Sequence, residues 1–407
     1  MMEVYLDHNA TTPVRKEVYN AMVPFLKEKF GNPSSLHFAG KIVRKEIERA
    51  RESIASSLSV TDDEIFFTSG GTEADNLALC GVAFSKYGEK RKKIVISAIE
   101  HHAVLETAEI LEKAGFIVEK IPVNSKGIID LEEFEKIIDD KTLLVSVMFA
   151  NNELGTVQPV KEIAEISKRY GAIVHTDIVQ AFGKIPVNLK TLGVDMASVS
   201  AHKIYGPKGT GAIFIKKGLK IKSLFHGGNQ EKKIRPGTEN PAGIVGFGVA
   251  AEIAVKELDG DVLLRIQYFR ERLKKSITEK IPYIIINGGE PVVPNTLNVS
   301  FAFIEGETLI TMLDKKGIAV STGSACSSQN LEPSHVLLAT GLSHELAHGS
   351  IRFSLGKDNT EEEIDYTVES LVNCVELVRQ MSPLYEDFLK SGKSFEEYLR
   401  EVNNGRV

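Results

Sequence analysis

The sequence has 407 residues, 43% of them hydrophobic and 26% charged, which is too long for one small core and predicts two domains. A net charge of −6 argues against a nucleic-acid partner, whose binding proteins normally carry a basic excess. Cys80, Cys326 and Cys374 form no CxxC pair, no apolar run is long enough to span a bilayer, and residues 1–30 carry Lys27, Glu28 and Lys29 where a signal peptide would be apolar; the expectation is a cytoplasmic protein with no disulfide framework, resident metal or membrane partner.

The chain opens on a short apolar stretch (Val4, Tyr5, Leu6) and the polar run Asp7-His8-Asn9-Ala10-Thr11-Thr12-Pro13, which reads either as a helix cap or as functional. Spacing at Val14, Val18, Met22 and Leu26 predicts a helix over 13–30, and a second amphipathic pattern covers 41–58, beyond a turn-rich loop at 31–37. A strand over 64–69 runs into Gly70-Gly71-Thr72-Glu73, which opens a helix towards Tyr87. Glycines let backbone approach a ligand, a helix start offers free N–H groups and Thr72 adds a hydroxyl, yet the pattern is neither a Walker sequence nor GxGxxG and serves a plain cap equally well. Cys80, inside this helix, is expected to be buried packing.

A strand over 93–97 ends before Glu100-His101-His102, with a helix over 103–114. The histidines lack HExxH spacing and would face different sides of a helix, so stacking on a planar cofactor is the alternative to a loop role. The continuous apolar run 143–149 predicts a strand buried on both faces, ending near Asn151-Asn152-Glu153. The next strand, 171–176, ends at Asp177, with Gln180 shortly after. A carboxylate there balances a positive ring nitrogen and an amide reaches a ring oxygen, unless Asp177 is only a helix cap. The strand over 195–199 ends in Ser200, His202 and Lys203, an amine beside hydroxyl and imidazole donors, and a strand over 212–215 leads away. Five strand ends thus carry polar residues to one edge of a mainly parallel sheet, where open α/β sheets bind ligands. An anion cradle, a stacking ring, a carboxylate and an amine together suit pyridoxal phosphate and not a nicotinamide.

A small-residue helix over 241–258 and Asp259-Gly260-Asp261 mark a boundary. Beyond it come helices over 262–280, 307–315 and 360–381, strands near 283–286 and 296–301, and a charged tail with helices at 384–390 and 395–402. Cys374 reads as core; the tail reads as a surface appendage, with docking of an acceptor the alternative. Ser321-Thr322-Gly323-Ser324-Ala325-Cys326-Ser327-Ser328 is small and polar, and a cysteine there is poorly explained by packing, so Cys326 reads as a nucleophile.

The ordered motifs Leu6 to Thr12, Gly31 to Ser35, Thr68 to Glu73, Glu100-His101, Asn151 to Glu153, Ser200 to Lys203, Arg235 to Asn240, Ser321 to Ser328 and Ser350 to Ser354 resemble those of the aspartate-aminotransferase-like, fold type I pyridoxal phosphate enzymes of the class-V aminotransferase family. Within them the chain resembles the NifS/IscS class of cysteine desulfurases. The resemblance implies an α/β large domain over 14–260 with a mainly parallel seven-stranded sheet, and a smaller α+β domain from 1–13 and 261–407 carrying the catalytic cysteine loop (about 322–334). It makes Lys203 the Schiff-base lysine, His101 the ring-stacking and catalytic imidazole, Asp177 the partner of the ring nitrogen and Gln180 that of the phenolic oxygen. Gly71, Thr72, Ser200 and His202 would hold the phosphate, with Thr238 reaching in from a partner subunit; Asn152 and Arg352 would orient the substrate. The implied reaction turns L-cysteine into L-alanine, with sulfur passing to Cys326 as a persulfide and on to an iron–sulfur scaffold protein of the IscU/NifU type. Cys326 is also a candidate transient iron–sulfur ligand. A selenocysteine lyase, or another pyridoxal phosphate-dependent lyase or aminotransferase of this fold, is the alternative. Ile178, Asn229 and Pro236 depart from the family's usual residues.

Overall fold

The structure, a computed structural model, describes residues 2–322 and 332–403. Strand β1 (Val4–Tyr5) leads through the polar run into helices α1 (Lys16–Lys27) and α2 (Phe38–Ser57). Strands and helices then alternate as β2 (Ile65–Thr68), α3 (Gly71–Ala83), β3 (Lys93–Ser97), α4 (His102–Lys113), β4 (Ile117–Ile121), α5 (Leu131–Ile137), β5 (Thr142–Ser146), α6 (Val160–Arg169), β6 (Ile173–Asp177), α7 (Leu189–Leu192), β7 (Met196–Ser200) and β8 (Gly211–Ile215). These strands make one seven-stranded sheet of order β2-β8-β7-β6-β5-β3-β4. Its pairings are parallel except the two made by β8, so β8 alone runs against the rest. The carboxyl ends of β2, β3, β5, β6 and β7 therefore share one edge, as the sequence predicts for an α/β sheet of this family.

Every residue of β3, β5 and β7 is buried, because helices cover both faces. Ile94 and Ile96 pack with Leu77, Leu79, Val104 and Leu111 on one side. Val95, Val145 and Val174 share the other core with Val43, Ile47, Ile163 and Phe247. Helix α8 (Pro241–Glu257) lies close against α2, and its small residues have a use there: a Cβ at Gly248 would stand 2.7 Å from the Ala50 Cα. Strand β4 and helix α5 are absent from the sequence reading. Glu119 and Lys120 break the apolar run of β4, which is an edge strand and partly exposed.

The chain continues through α9 (Asp261–Lys280), β9 (Ile284–Asn287), β10 (Thr296–Phe301), α10 (Gly306–Asp314), β11 (Ile318–Ala319), α11 (His335–Ala339), α12 (His344–His348), β12 (Ser350–Ser354), α13 (Glu361–Gln380), α14 (Pro383–Ser391) and α15 (Phe395–Asn403). An antiparallel sheet β12-β10-β9 and the parallel pair β1-β11 lie over a core containing Leu309, Phe353, Leu371 and Cys374. The N-terminal strand thus belongs to a sheet whose other member lies more than 300 residues later.

Three local expectations change. Leu26 is 69% exposed and Phe25 is buried in its place, since α1 starts at Lys16 and its inward face runs through Val18 and Phe25, seven residues apart. Cys80 is half-buried instead of fully packed. The tail is no plain surface appendage: Phe388, Tyr398 and Val402 are buried in a cluster with Phe303, whose ring stacks on Phe388 with centroids 4.8 Å apart, and the Tyr283 ring meets Phe388 edge-on at 5.2 Å. Among the described residues no helix is long and apolar enough to cross a membrane. Phe388→Ala is expected to lower stability by about 3 kcal/mol in denaturant unfolding, through the cavity it leaves; a loss below about 1 kcal/mol would mean that the tail contributes little packing.

Candidate active site

Below the shared strand edge lies a cavity of about 440 Å³. Gly71, Thr72, Ser200 and His202 line it, together with His101, Asp177, Gln180 and Lys203, and with Asn152 and Arg352. A larger cleft of about 660 Å³ is walled by Arg44, Arg51, Glu231 and Lys232, but its charges are already spent: Arg51 donates to both Glu231 oxygens, at 2.8 and 2.7 Å. Chemistry, not volume, selects the smaller cavity.

Gly71 opens α3, so its first-turn N–H groups point outward without intrahelical partners. A Cβ at Gly71 would come within 3.0 Å of Val179 Cγ2, which keeps this wall bare backbone. Ser200 ends β7, and the short 3₁₀ turn Ala201–Lys203 follows. His202 is pinned by Thr11, whose Oγ1 lies 3.1 Å from Nδ1, while Thr12 donates to the His202 carbonyl at 2.8 Å. Burial, and then Lys203, lower His202 to about 4, so its ring is neutral. Hydroxyl, imidazole and free N–H donors together suit an anion.

Asp177 ends β6 and accepts from the Val179 N–H at 2.8 Å. Burial raises it to about 6, against the pull of that N–H and of Lys203. Behind it Asp75 is fully buried, and burial plus Asp177 push it well above the usual carboxylate range. Two adjacent buried carboxyls do not both ionise readily; the pull of the Val179 N–H and Lys203 makes Asp177, facing the cavity, the anion. Asp75 belongs to a ladder in which Ser146 Oγ and Ser198 Oγ lie 2.8 and 2.9 Å from the two nitrogens of His175.

His101 caps α4, its Nδ1 accepting from the Ala103 N–H at 3.1 Å. Burial, then Lys203, lower it to about 4, so the ring is neutral with its proton on Nε2. Lys203 Nζ donates to the carbonyls of Asn9 and Ala10, at 2.6 and 2.7 Å. Arg352 is buried in β12; its Nη2 meets Asp7 Oδ1 at 2.8 Å, its Nη1 donates to the Asn152 carbonyl at 3.1 Å, and its Nε has no partner among the described residues. Such a guanidinium retains capacity for a carboxylate ligand.

One predicted residue is not brought to the cavity. Thr238 is exposed and lies elsewhere on the chain surface. Cys326 lies outside the described residues, as does most of the 322–334 loop. Sequence reading missed Lys184, which bonds both Gln180 and Asn9, and Asp75; it left Asn9 undecided between cap and site. A lysine embedded in the apolar stretch Ala181-Phe182-Gly183 was the available signal for Lys184.

The set fits a planar ring carrying an anionic group: donors at the anion, Asp177 opposite a ring nitrogen, a neutral imidazole and an amine close by. A family model described as aminotransferase class V matches residues 4–367. A curated relative from Dictyoglomus turgidum, named cysteine desulfurase IscS, is 50% identical over 393 residues, spanning 96% of this chain and 99% of its own. Among solved structures, a NifS-like protein superposes with a TM-score of 0.87 at 44% identity, covering 92% of this chain and all of that one. A structure of SspA in complex with cysteine gives a TM-score of 0.78 at 35% identity, over 88% of this chain and all of that one.

Glu100 holds the corner before His101, accepting from the Ser97 hydroxyl and from the Met148 N–H at 2.8 Å. Burial lifts it from 4.5 to about 8. The stability gained by this buried acid is complete below about pH 4.5 and is lost as pH rises through about 8. Glu100→Gln keeps the acceptor and never ionises, so thermal or denaturant unfolding should show variant and wild type alike near pH 5 and the variant favoured by roughly 2 kcal/mol or more near pH 9. Identical pH slopes would remove Glu100 as the titrating group.

Proposed function

The chain belongs to the class-V aminotransferases, among their cysteine desulfurases, and we propose that it converts L-cysteine to L-alanine with pyridoxal 5'-phosphate, passing the sulfur to Cys326 as a persulfide. The observation that carries the reading is the meeting of Lys203, Asp177, His101 and Arg352 around one cavity at the strand ends. Gly71, Thr72, Ser200 and His202 would hold the cofactor's phosphate, His101 would lie on its ring, and Asp177 and Gln180 would meet its nitrogen and phenolic oxygen. Thr238, exposed on its own subunit, would complete the phosphate site from a second copy of the chain.

When bound, the cofactor supplies an electron sink that acidifies the substrate α-carbon and labilises the bond to sulfur. Arg352, released in part from Asp7, binds the substrate carboxylate together with Asn152. Lys203 Nζ, held over the cavity by two carbonyls, carries the α-proton away. His101, neutral with its proton on Nε2 and its Nδ1 already accepting from the Ala103 N–H, donates to the substrate sulfur. The Cys326 thiolate attacks the substrate sulfur, so an S–S bond forms as the C–S bond breaks, and the carbon takes up a proton to become alanine. Free cysteines and a thiolate nucleophile suit a reducing compartment, hence the cytoplasm. An iron–sulfur scaffold protein of the IscU/NifU type is the proposed acceptor. A homodimer is supported by Leu26, Phe30, Leu36 and Phe38, large apolar side chains 69, 80, 87 and 78% exposed along one stretch of chain.

The test measures sulfide and alanine from L-cysteine with a thiol reductant. Wild type should release the two in equal amounts, Lys203→Ala should lose turnover, and Cys326→Ser should lose roughly 100-fold or more in sulfide. Alanine formation indifferent to Cys326 would move the protein to another lyase class, and turnover in Lys203→Ala would contradict the assignment of the amine.

A further inference from the structure

Lys184 lies fully buried behind the cavity, four residues after Gln180. Its Nζ donates to Gln180 Oε1 and, at 2.9 Å, to Asn9 Oδ1. No carboxylate among the described residues pairs with it; the charged groups that bear on it are Lys203 and Arg352, and His8 lies close enough to feel it. A neutral amine has two N–H donors, and the two acceptors use both, whereas an ammonium would bring a third proton with no protein acceptor for it among the described residues. Burial and the two neighbouring cations favour the same neutral form.

The arrangement settles which way the Gln180 amide faces, which is ordinarily ambiguous. Its Nε2 donates to the Asn9 carbonyl at 3.0 Å, an atom that accepts only, while its Oε1 receives the lysine proton. One amide hydrogen is thereby used and the second stays available on the cavity side, where Gln180 forms part of the wall. We propose that Lys184 is a positioning residue for the cofactor: by holding Gln180 Oε1 from behind, it ensures that an N–H, and not a carbonyl oxygen, meets the cofactor's phenolic oxygen. The proposal rests on the reading of this cavity as a pyridoxal phosphate site. A donor at that oxygen favours its ionised form; an acceptor would make it keep a proton.

The experiment loads wild type, Lys184→Met, Gln180→Ala and the double variant with pyridoxal phosphate and follows the visible absorbance of the bound cofactor against pH, with melting temperature recorded alongside. Lys184→Met should raise the midpoint between the protonated and unprotonated bands by about one unit, roughly tenfold in their ratio at fixed pH. In the Gln180→Ala background the same substitution should add no shift, because the amide through which Lys184 acts is gone. A lysine that only fills space would lower the melting temperature and leave the midpoint alone. Absence of a shift in folded, loaded Lys184→Met, or an equal shift in both backgrounds, would overturn the proposal. Should the methionine variant fail to fold, Lys184→Gln, which keeps an N–H donor group on a shorter side chain, should give a smaller shift of the same sign that again vanishes with Gln180→Ala; persistence of the shift there would overturn it equally. A wild type with no visible band in the presence of pyridoxal phosphate would instead defeat the reading of the cavity itself.

Discussion

One buried amide, that of Asn9, ties the molecule together. Its N–H donates to Ser354 Oγ at 2.9 Å, and its side-chain nitrogen donates to the Asn152 carbonyl at 3.1 Å and to Thr296 Oγ1 at 2.8 Å. Its side-chain oxygen accepts from Lys184 and Asn295, and its carbonyl from Gln180 and Lys203. Partners thus come from the end of β7, the turn after β6, and strands β10 and β12. Leaving any of these groups unpaired in a dry interior would cost about 1–3 kcal/mol each, so the small sheet and the edge of the large one are held in a single relation, and the cavity between them keeps its shape.

The charges around that cavity are sorted by burial. His101, His175 and His202 are all pushed far below the usual histidine range and are neutral at ordinary pH. The positive charge near the ligand space therefore resides on Lys203 and Arg352, and the facing negative charge on Asp177 and Asp7. Neutral imidazoles offer directed donors and acceptors without adding charge to the cavity.

What was legible in the sequence follows from range. Strands β3, β5 and β7 are mainly apolar because they are buried on both faces, and the polar residues that end or follow β3, β6 and β7 stand out against the apolar strands; His101, Asp177 and Lys203 were found for this reason. Strand β4 escaped because an edge strand tolerates Glu119 and Lys120. The partnership of Asn9 with Ser354 spans 345 residues, and that of Asp75 with the Ser198–His175 ladder joins separate elements, so no local pattern records either. Leu26 was misplaced by a helix boundary and the tail by its charge, which hides the few aromatic residues that anchor it.

The position of β1 has a consequence for the order in which the molecule is made. Residues 4–9 are made before the seven-stranded sheet, yet their partners β11, Thr296 and Ser354 are made well after it. The seven-stranded sheet ends at Ile215 and can close long before then. Asn9 and Ala10 can meet Gln180 and Lys203 once these are made, but the strand before them waits some 300 residues for β11, so the corner that holds the Lys203 amine is fixed late.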